Sequence, residues 1–218
     1  DSNSLPTDRI WAIAEDGAGG LWLGGFRSGL SRLDASGHFR HYRHDPADSR
    51  SLCDDIVVSL MRMDDGTLWI STAKGLCRWQ ESTGFMPVTI PPLGNQPAPR
   101  FVINLGSDRA DRLWLSTDVG LRVLTADGVV TGLQGWVTTI EPDGELWFGS
   151  IDGLRRWNLR SGDTVIHRGH SGHPMALHTS AFLDILRDHE GSLWFASQGS
   201  GLAQLLPQWR AIRAFLPE

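Results

Sequence analysis

The sequence Leu-Trp-Leu-Gly-Gly at residues 21–25, followed by Gly29-Leu30, decides the fold because both motifs recur along the 218-residue chain. The Leu-Trp segments are LWLGG (21–25), LWIST (68–72), LWLST (113–117), LWFGS (146–150) and LWFAS (193–197). Gly-Leu follows each Trp by six or seven residues, at 29–30, 75–76, 120–121, 153–154 and 201–202. Repeats spaced 33 to 47 residues apart predict five copies of one structural unit.

Each repeat contains four segments that are typical of β-strands. The first strands are predicted at IWAIA (10–14), VVSLM (57–61), FVINL (101–105), WVTTI (136–140) and FLDIL (182–186). Turns rich in Asp and Gly follow and allow the tight hairpins that make the Leu-Trp and Gly-Leu segments the second and third strands. Weaker fourth strands are predicted at 39–43, 85–88, 128–130, 164–167 and 209–215. Four antiparallel strands per repeat predict the blade of a β-propeller.

The sequence therefore predicts an all-β protein, a β-propeller built of five four-stranded antiparallel blades. The blades are expected at approximately residues 5–43, 52–88, 100–130, 135–167 and 179–215. An open arc of such blades would leave two blade faces bare and invite pairing between chains, which makes a homodimer possible.

Seven of the ten tryptophans repeat with the blades, and we interpret these seven as core residues. A tryptophan on the second strand of each blade can fill the wedge between neighbouring sheets while its indole N–H donates a hydrogen bond to the backbone. Trp79 and Trp157 share one further repeat position. Trp11 and Trp136 lie outside this pattern, on first strands near the propeller axis, where either could face a central pocket.

Charge and hydropathy exclude several kinds of partner. The 20 basic and 25 acidic residues give a net charge of −5 and are scattered along the chain, without the basic cluster that nucleic acids require. No apolar run reaches the roughly 18 residues of a spanning helix, so this segment is not expected to insert into a membrane. The N-terminus lacks the plan of a signal peptide, so any export signal was removed or lies outside this segment.

The two cysteines leave the redox compartment open. Cys53 and Cys77 could form a disulfide in an oxidising compartment. Buried free thiols are the favoured alternative, because free Cys is among the most buried residue types.

The repeat resembles that of the two-component-regulator propellers. The similarity rests on DGAGGLWLGGFRSGLSRLD (16–34), DDGTLWISTAKGLCRWQ (64–80) and the connection YRHDPADSRSLCDDIVVSL (42–60). It covers five repeats, from Leu5 to about Phe215. WD40 blades would carry Trp-Asp and Gly-His motifs, which these repeats lack.

The resemblance implies a function and a location. In that family, seven-bladed propellers form the exported sensor part of membrane signalling proteins, and a histidine kinase or diguanylate cyclase usually follows. The chain is thus expected to be a fragment of a longer sensor, part of a propeller of about seven blades, located in the periplasm. Self-closure of the five blades is the alternative.

A ligand site is expected where the loops between second and third strands meet the connections between blades. Those loops contain Phe26, Arg27, Lys74, Asp118, Asp152 and Gln198. Arg27, Asp118, Asp152 and Gln198 could hydrogen-bond a small polar molecule or an oligosaccharide, with Trp11 or Trp136 as a stacking surface. Ordinary solvated loop residues are the alternative interpretation of each.

No cofactor, metal or catalytic site is expected. His167, His170, His173 and His178 could ligate Zn²⁺ or Cu²⁺, but a flexible polar loop is favoured because no helix imposes their direction. The chain has neither a nucleophile elbow nor a P-loop. We therefore predict a non-enzymatic sensory domain. A structural or dimerisation propeller is the alternative, and a polysaccharide lyase or hydrolase is less favoured.

Overall fold

A computed structural model describes residues 4–107, 112–125, 128–129, 136–140, 145–150, 153–158, 161–167, 182–197, 201–207 and 213–215. Within these ranges the chain forms five antiparallel sheets of four strands each and no helix. In every sheet the strands follow one another in sequence order. The predicted fold class, a β-propeller of four-stranded blades, is confirmed.

Two compact units divide the chain. Unit 1 comprises residues 1–107 and 111–132, and unit 2 comprises residues 108–110 and 133–218. Blades 1 to 3 belong to unit 1 and blades 4 and 5 to unit 2.

Twelve strands form the blades of unit 1. Blade 1 contains β1 (Ile10–Glu15), β2 (Leu21–Gly25), β3 (Gly29–Leu33) and β4 (Phe39–Tyr42). Blade 2 contains β5 (Val57–Arg62), β6 (Leu68–Thr72), β7 (Gly75–Gln80) and β8 (Gly84–Val88). Blade 3 contains β9 (Val102–Ser107), β10 (Leu113–Thr117), β11 (Gly120–Thr125) and β12 (Gly128–Val129).

Eight strands form the blades of unit 2. Blade 4 contains β13 (Trp136–Ile140), β14 (Glu145–Ser150), β15 (Gly153–Asn158) and β16 (Thr164–His167). Blade 5 contains β17 (Phe182–Arg187), β18 (Leu193–Ser197), β19 (Gly201–Leu205) and β20 (Arg213–Phe215).

Within each unit, the hydrophobic core lies between consecutive blades. Trp22 of β2 is only 1% exposed because it packs against the next blade, with its ring centroid 4.7 Å from that of Trp79. In unit 2, Trp147 of β14 packs in the same way against Phe195 of blade 5. Trp22 and Trp147 therefore fill the wedge between sheets, as predicted, whereas the second-strand Trp69 and Trp194 are half-buried. Trp157, which was also predicted in the core, is half-buried.

The glycines of four Gly-Leu pairs have a positive φ. Gly29 and Gly120 have φ values of 75° and 105°, in the region that favours glycine. A side chain at Gly29 would also meet the carbonyl oxygen of Tyr42. A residue with a side chain would therefore be strained at these two positions.

The turn aspartate of blade 1 organises its hairpin through its side chain. Asp16 Oδ1 accepts hydrogen bonds from the N–H groups of Ala18 and Gly20, at 2.8 and 2.7 Å, and its Oδ2 accepts one from Arg32 Nε at 3.1 Å. Burial raises the pKa of the Asp16 carboxyl, but the two N–H groups and Arg32 lower it by more, so the pKa lies below its ordinary value. The carboxylate stays charged in the folded blade.

In blade 5 the corresponding carboxylate also holds the second-strand tryptophan. Trp194 Nε1 donates to Asp188 Oδ2 at 2.8 Å, so this indole bonds a side chain and not the backbone partner that was predicted. That hydrogen bond lowers the pKa of Asp188, burial opposes it, and the N–H groups of Ser192 and Glu190 lower the pKa further. The turn and the wedge residue are therefore fixed together.

The preference for free thiols at Cys53 and Cys77 is wrong, because the two form a disulfide. Cys53 lies in the connection before β5 and Cys77 on β7, and their Cα atoms are 6.1 Å apart. This distance is within the ordinary range for disulfides. The bond fastens the connection between blades 1 and 2 to the third strand of blade 2.

Candidate functional site

The loops between second and third strands share one face of unit 1 with the connections between blades. The N–H groups of Phe26, Ala73 and Asp118, which open these loops, donate to carbonyl oxygens at the residues just before β1, β5 and β9. The same hydrogen bond therefore recurs in all three blades. This face, called the loop face below, is where the ligand site was predicted.

A β-bulge inserts one extra residue into every first strand, and in unit 1 the bulges lie at the loop face. In blade 1, Ile10 pairs with Gly25 and Ala12 with Gly24, which leaves Trp11 as the extra residue. The extra residues of the other blades are Val58, Ile103, Val137 and Leu183. Blade 1 alone therefore has an aromatic ring at this position, and the Trp11 side chain is 54% exposed.

Trp11 belongs to a cluster of two aromatic rings and two guanidinium groups, called the blade 1 cluster below. Its ring centroid lies 4.9 Å from that of Phe26, which opens the β2–β3 loop. The Cζ atoms of Arg27 and Arg9 lie over the Phe26 ring, 5.2 and 6.0 Å from its centroid. Phe26 thus connects Trp11 with Arg27, two of the predicted site residues.

The Arg27 backbone is strained. Its φ of 58° is the one positive value found at a non-glycine position among the described residues. A residue other than glycine in this region costs about 1 kcal/mol, and such strain concentrates at functional sites. The β18–β19 loop of blade 5 has the same three-residue length, and its sequence places Gly199 at the position of Arg27. An arginine therefore stands where a glycine would be unstrained.

Asp118, another predicted site residue, is engaged by arginines. It accepts a hydrogen bond from the Arg100 backbone N–H at 3.0 Å and lies 3.7 Å from Arg100 Nε. Burial lowers the pKa of the nearby Arg122, and the Asp118 charge counteracts part of that effect. This carboxylate supports the connection before β9, and its proposed contact with a ligand stays a prediction.

Polar side chains on first strands join neighbouring blades. Ser59 of β5 donates to Asn104 Oδ1 of β9 at 3.0 Å, and both occupy the position directly after the bulge. The Leu105 N–H donates to the same Asn104 oxygen at 2.8 Å. Asn104 thus contributes to blade packing.

A cleft of about 510 Å³ opens between the connections on either side of blade 2. Buried apolar side chains line it together with exposed charged ones, including Leu52, Leu76, Ile90, Asp45, Lys74 and Arg100. Lys74 Nζ forms an ion pair with Asp54 Oδ2 at 3.2 Å. The volume of the cleft is within the range of small-molecule binding sites. Sequence reasoning missed the cleft, because most of its lining comes from connections without a repeated motif.

Three predicted site residues cannot be placed at the cluster. Asp152 and Gln198 lie outside the described residues. Trp136 begins β13, where its backbone pairs with Gly149, but its side chain is outside the described part of the structure. Its register position matches Ile10, so Trp11 and Trp136 are not equivalent.

His167 lies on β16 and packs on a tryptophan. Its ring stacks on Trp147 with centroids 5.3 Å apart and an interplanar angle of 21°. His170, His173 and His178 lie outside the described residues, so the alternative of a metal site stays untested. Within the described ranges, no group of three or more His, Cys, Asp or Glu side chains is placed to hold a metal.

We expect His167 to make unfolding pH-dependent. Burial, and then the nearby charge of Arg156, lower the pKa of His167 below its ordinary value of 6.5. The unfolded chain therefore binds this proton first, so the stabilisation is complete above pH 6.5 and is lost as the pH falls toward the folded pKa.

Urea denaturation of the wild-type protein and of His167→Phe between about pH 7.5 and 5 measures this effect. Aspartates with a lowered pKa change the stability mainly below about pH 4, so this range separates their contribution from that of His167. The variant keeps a ring on Trp147 and should lose less stability than the wild type on acidification. Parallel losses would contradict the assignment.

The fold and loop face define a class of protein, a β-propeller that presents non-repeating side chains where its loops converge. A family model described as two component regulator propeller matches residues 4–27. The resemblance drawn from the repeats is therefore supported at blade 1, in the segment that contains the cluster. No curated protein sequence matches the chain.

Solved structures share this fold. One is the extracellular domain of BT4673 from B. thetaiotaomicron, described as a one component or hybrid two component system (20% identity, TM-score 0.75, covering 93% of this chain and 28% of that one). Another is the extracellular domain of BT3049 from the same organism, described as a hybrid two component system (18%, 0.76, covering 99% and 29%). The chain thus spans less than a third of the length of either.

Virginiamycin B lyase from Staphylococcus aureus has the fold as well, at 18% identity and a TM-score of 0.67, covering 95% of this chain and 70% of the lyase. At such identities the likeness shows the fold alone. No helix of the described residues is long and apolar enough to cross a membrane.

Proposed function

We propose that the chain is an extracytoplasmic, ligand-binding propeller domain of a bacterial signal-transduction protein, without catalytic activity of its own. The observation that carries the proposal is a coincidence within residues 4–27. This segment matches the two component regulator propeller family, and it also contains Arg9, Trp11 and Phe26, which depart from the repeat. Side chains that depart from the repeat at the loop end of blade 1 support a specialised binding site there.

The Cys53–Cys77 disulfide supports the proposed location. Disulfides persist in oxidising compartments such as the bacterial periplasm and are rare in the cytosol. Cys77 is fully buried, so the bond is a structural one. The extracellular origin of the BT4673 and BT3049 domains agrees with this placement.

Protease accessibility in the native cells tests the location. An antibody raised against the 218-residue chain would follow the protein in spheroplasts treated with external protease, with a cytosolic protein as the control. We expect the epitope to disappear while the control survives. Protection of both would contradict an extracytoplasmic domain.

One observation favours the alternative of a dimerisation propeller. Leu202 of blade 5 is 39% exposed, whereas the leucines at the same position of the other four blades are at most 2% exposed. Leu186 is 64% exposed, and both line an apolar depression of about 410 Å³ with Trp194. Exposed apolar patches of this kind mark interaction sites, and the same patch on a second copy would have matching chemistry.

Sedimentation velocity over a range of concentrations tests the dimer. The wild type should show a dimer that Leu186→Asp with Leu202→Asp abolishes, and the exposed Met86→Asp variant on β8 should behave as the wild type does. A wild type that stays monomeric throughout would rule this alternative out.

A further inference from the structure

The blade 1 cluster combines a stacking surface with positive charge. Trp11 is held at the bulge with more than half of its surface in solvent, and Phe26 lies against it. Exposed indole rings bind flat apolar faces of ligands, and guanidinium groups bind carboxylates with directed hydrogen bonds. Arg27, whose side chain is exposed, supplies the guanidinium beside the rings.

Each member of the cluster departs from the repeat. Arg9 stands where blades 2 and 3 have Ile56 and Phe101, directly before the first strand. Phe26 opens a loop that begins with Ala73 in blade 2 and Asp118 in blade 3. The main blade-packing residues, such as the leucines of the Gly-Leu pairs, recur with the blade. The packing of the propeller therefore does not account for this combination.

The strain at Arg27 points to recognition rather than stability. Glycine would adopt the observed φ freely, and the equivalent blade 5 loop has Gly199 in its sequence at that place. Arg9 and Arg27 both lie within cation–π distance of the Phe26 ring and bring two positive charges to this end of blade 1. An anion bound beside the Phe26 ring would interact favourably with these charges.

We propose that the blade 1 cluster binds a ring-shaped anion, in which a flat ring stacks on Trp11 and a carboxylate pairs with Arg27 and Arg9. This inference rests on the proposed ligand-binding function and adds the site and the chemical class. A uronic acid sugar and an aromatic acid share this chemistry.

Titration calorimetry with four probes distinguishes a uronic acid sugar from an aromatic acid as the ligand. A galacturonic acid trisaccharide and indole-3-acetate carry the anion, and a galactose trisaccharide and indole-3-ethanol are their neutral counterparts. The wild-type protein should bind at least one anionic probe and bind its neutral counterpart about tenfold more weakly or not at all. The acid that binds more tightly identifies which of the two ligand classes the cluster prefers.

Two variants locate the site. Arg27→Gly and Trp11→Ala should each lower the affinity of the protein for the anionic probe about tenfold. Arg27→Gly should do so with an unchanged or raised midpoint of thermal unfolding, because glycine relieves the strained φ. Val58→Ala truncates the residue at the equivalent bulge of blade 2 and should leave affinity unchanged.

Several results would overturn the inference. Equal affinity for the acids and their neutral counterparts would contradict the recognition of an anion. Unchanged affinity in Arg27→Gly would contradict the location of the site in the blade 1 cluster. Either result would still be consistent with a ligand-binding domain. Failure of all four probes would also overturn it, whereas the proposed extracytoplasmic location is judged separately by the protease experiment.

Discussion

Replacing Trp22 with alanine is expected to lower the free energy of unfolding by about 3–5 kcal/mol. The indole is 1% exposed and joins blade 1 to blade 2, with Trp79 and Tyr42 against it at centroid distances of 4.7 and 5.7 Å. The Arg32 guanidinium lies 5.2 Å from the ring and loses its cation–π partner as well. Alanine would leave a cavity that both blades line.

Trp11→Ala is the matched control for this prediction, since it removes the same side chain from the same blade. Trp11 is 54% exposed, so the loss should stay below about 1 kcal/mol. Chemical denaturation followed by far-ultraviolet circular dichroism measures both variants. Similar losses in the two would show that Trp22 does not fasten the blades.

Removal of the Cys53–Cys77 disulfide is expected to cost about 3 kcal/mol. The bond joins residues 24 positions apart, and closing a loop of this length restricts the unfolded chain by about that amount. The double variant Cys53→Ala with Cys77→Ala is preferred over serine, because Cys77 is fully buried and a serine hydroxyl there would need a hydrogen-bond partner.

Reduction provides an independent measurement of the same quantity. Dithiothreitol should lower the denaturation midpoint of the wild-type protein and leave that of the double alanine variant unchanged. A wild-type protein that is equally stable with and without the reductant, under conditions where both thiols react with an alkylating agent, would refute the prediction.

The repeat made most of the architecture predictable. Leu-Trp, Gly-Leu and the turn aspartates recur because one blade recurs, so five copies supply independent evidence for each strand. The same evidence separated the buried Trp22 from the exposed Trp11 before any contact was known. The fate of the cysteines was not predictable, since Cys53 and Cys77 occur in one blade only and their spacing in sequence does not set their distance.

The candidate site was predictable only in part. Arg27 and Trp11 stood out because they fall on the loop face and outside the repeated pattern. Phe26 was in the same group of loop residues, but its role as the link between them depends on the bulge that turns Trp11 toward the β2–β3 loop. Departure from the repeat at positions 9 and 26 is the signal that would have found the rest of the cluster.

The sequence by itself determined the blade, its four strands and the residues that pack one blade on the next, because strand alternation and turn chemistry are local properties that repetition makes visible. The tertiary structure decided the disulfide, the left-handed backbone at Arg27 and the contact of Phe26 with Trp11. Each of these depends on register and bulge geometry, which bring together side chains that are separated along the chain.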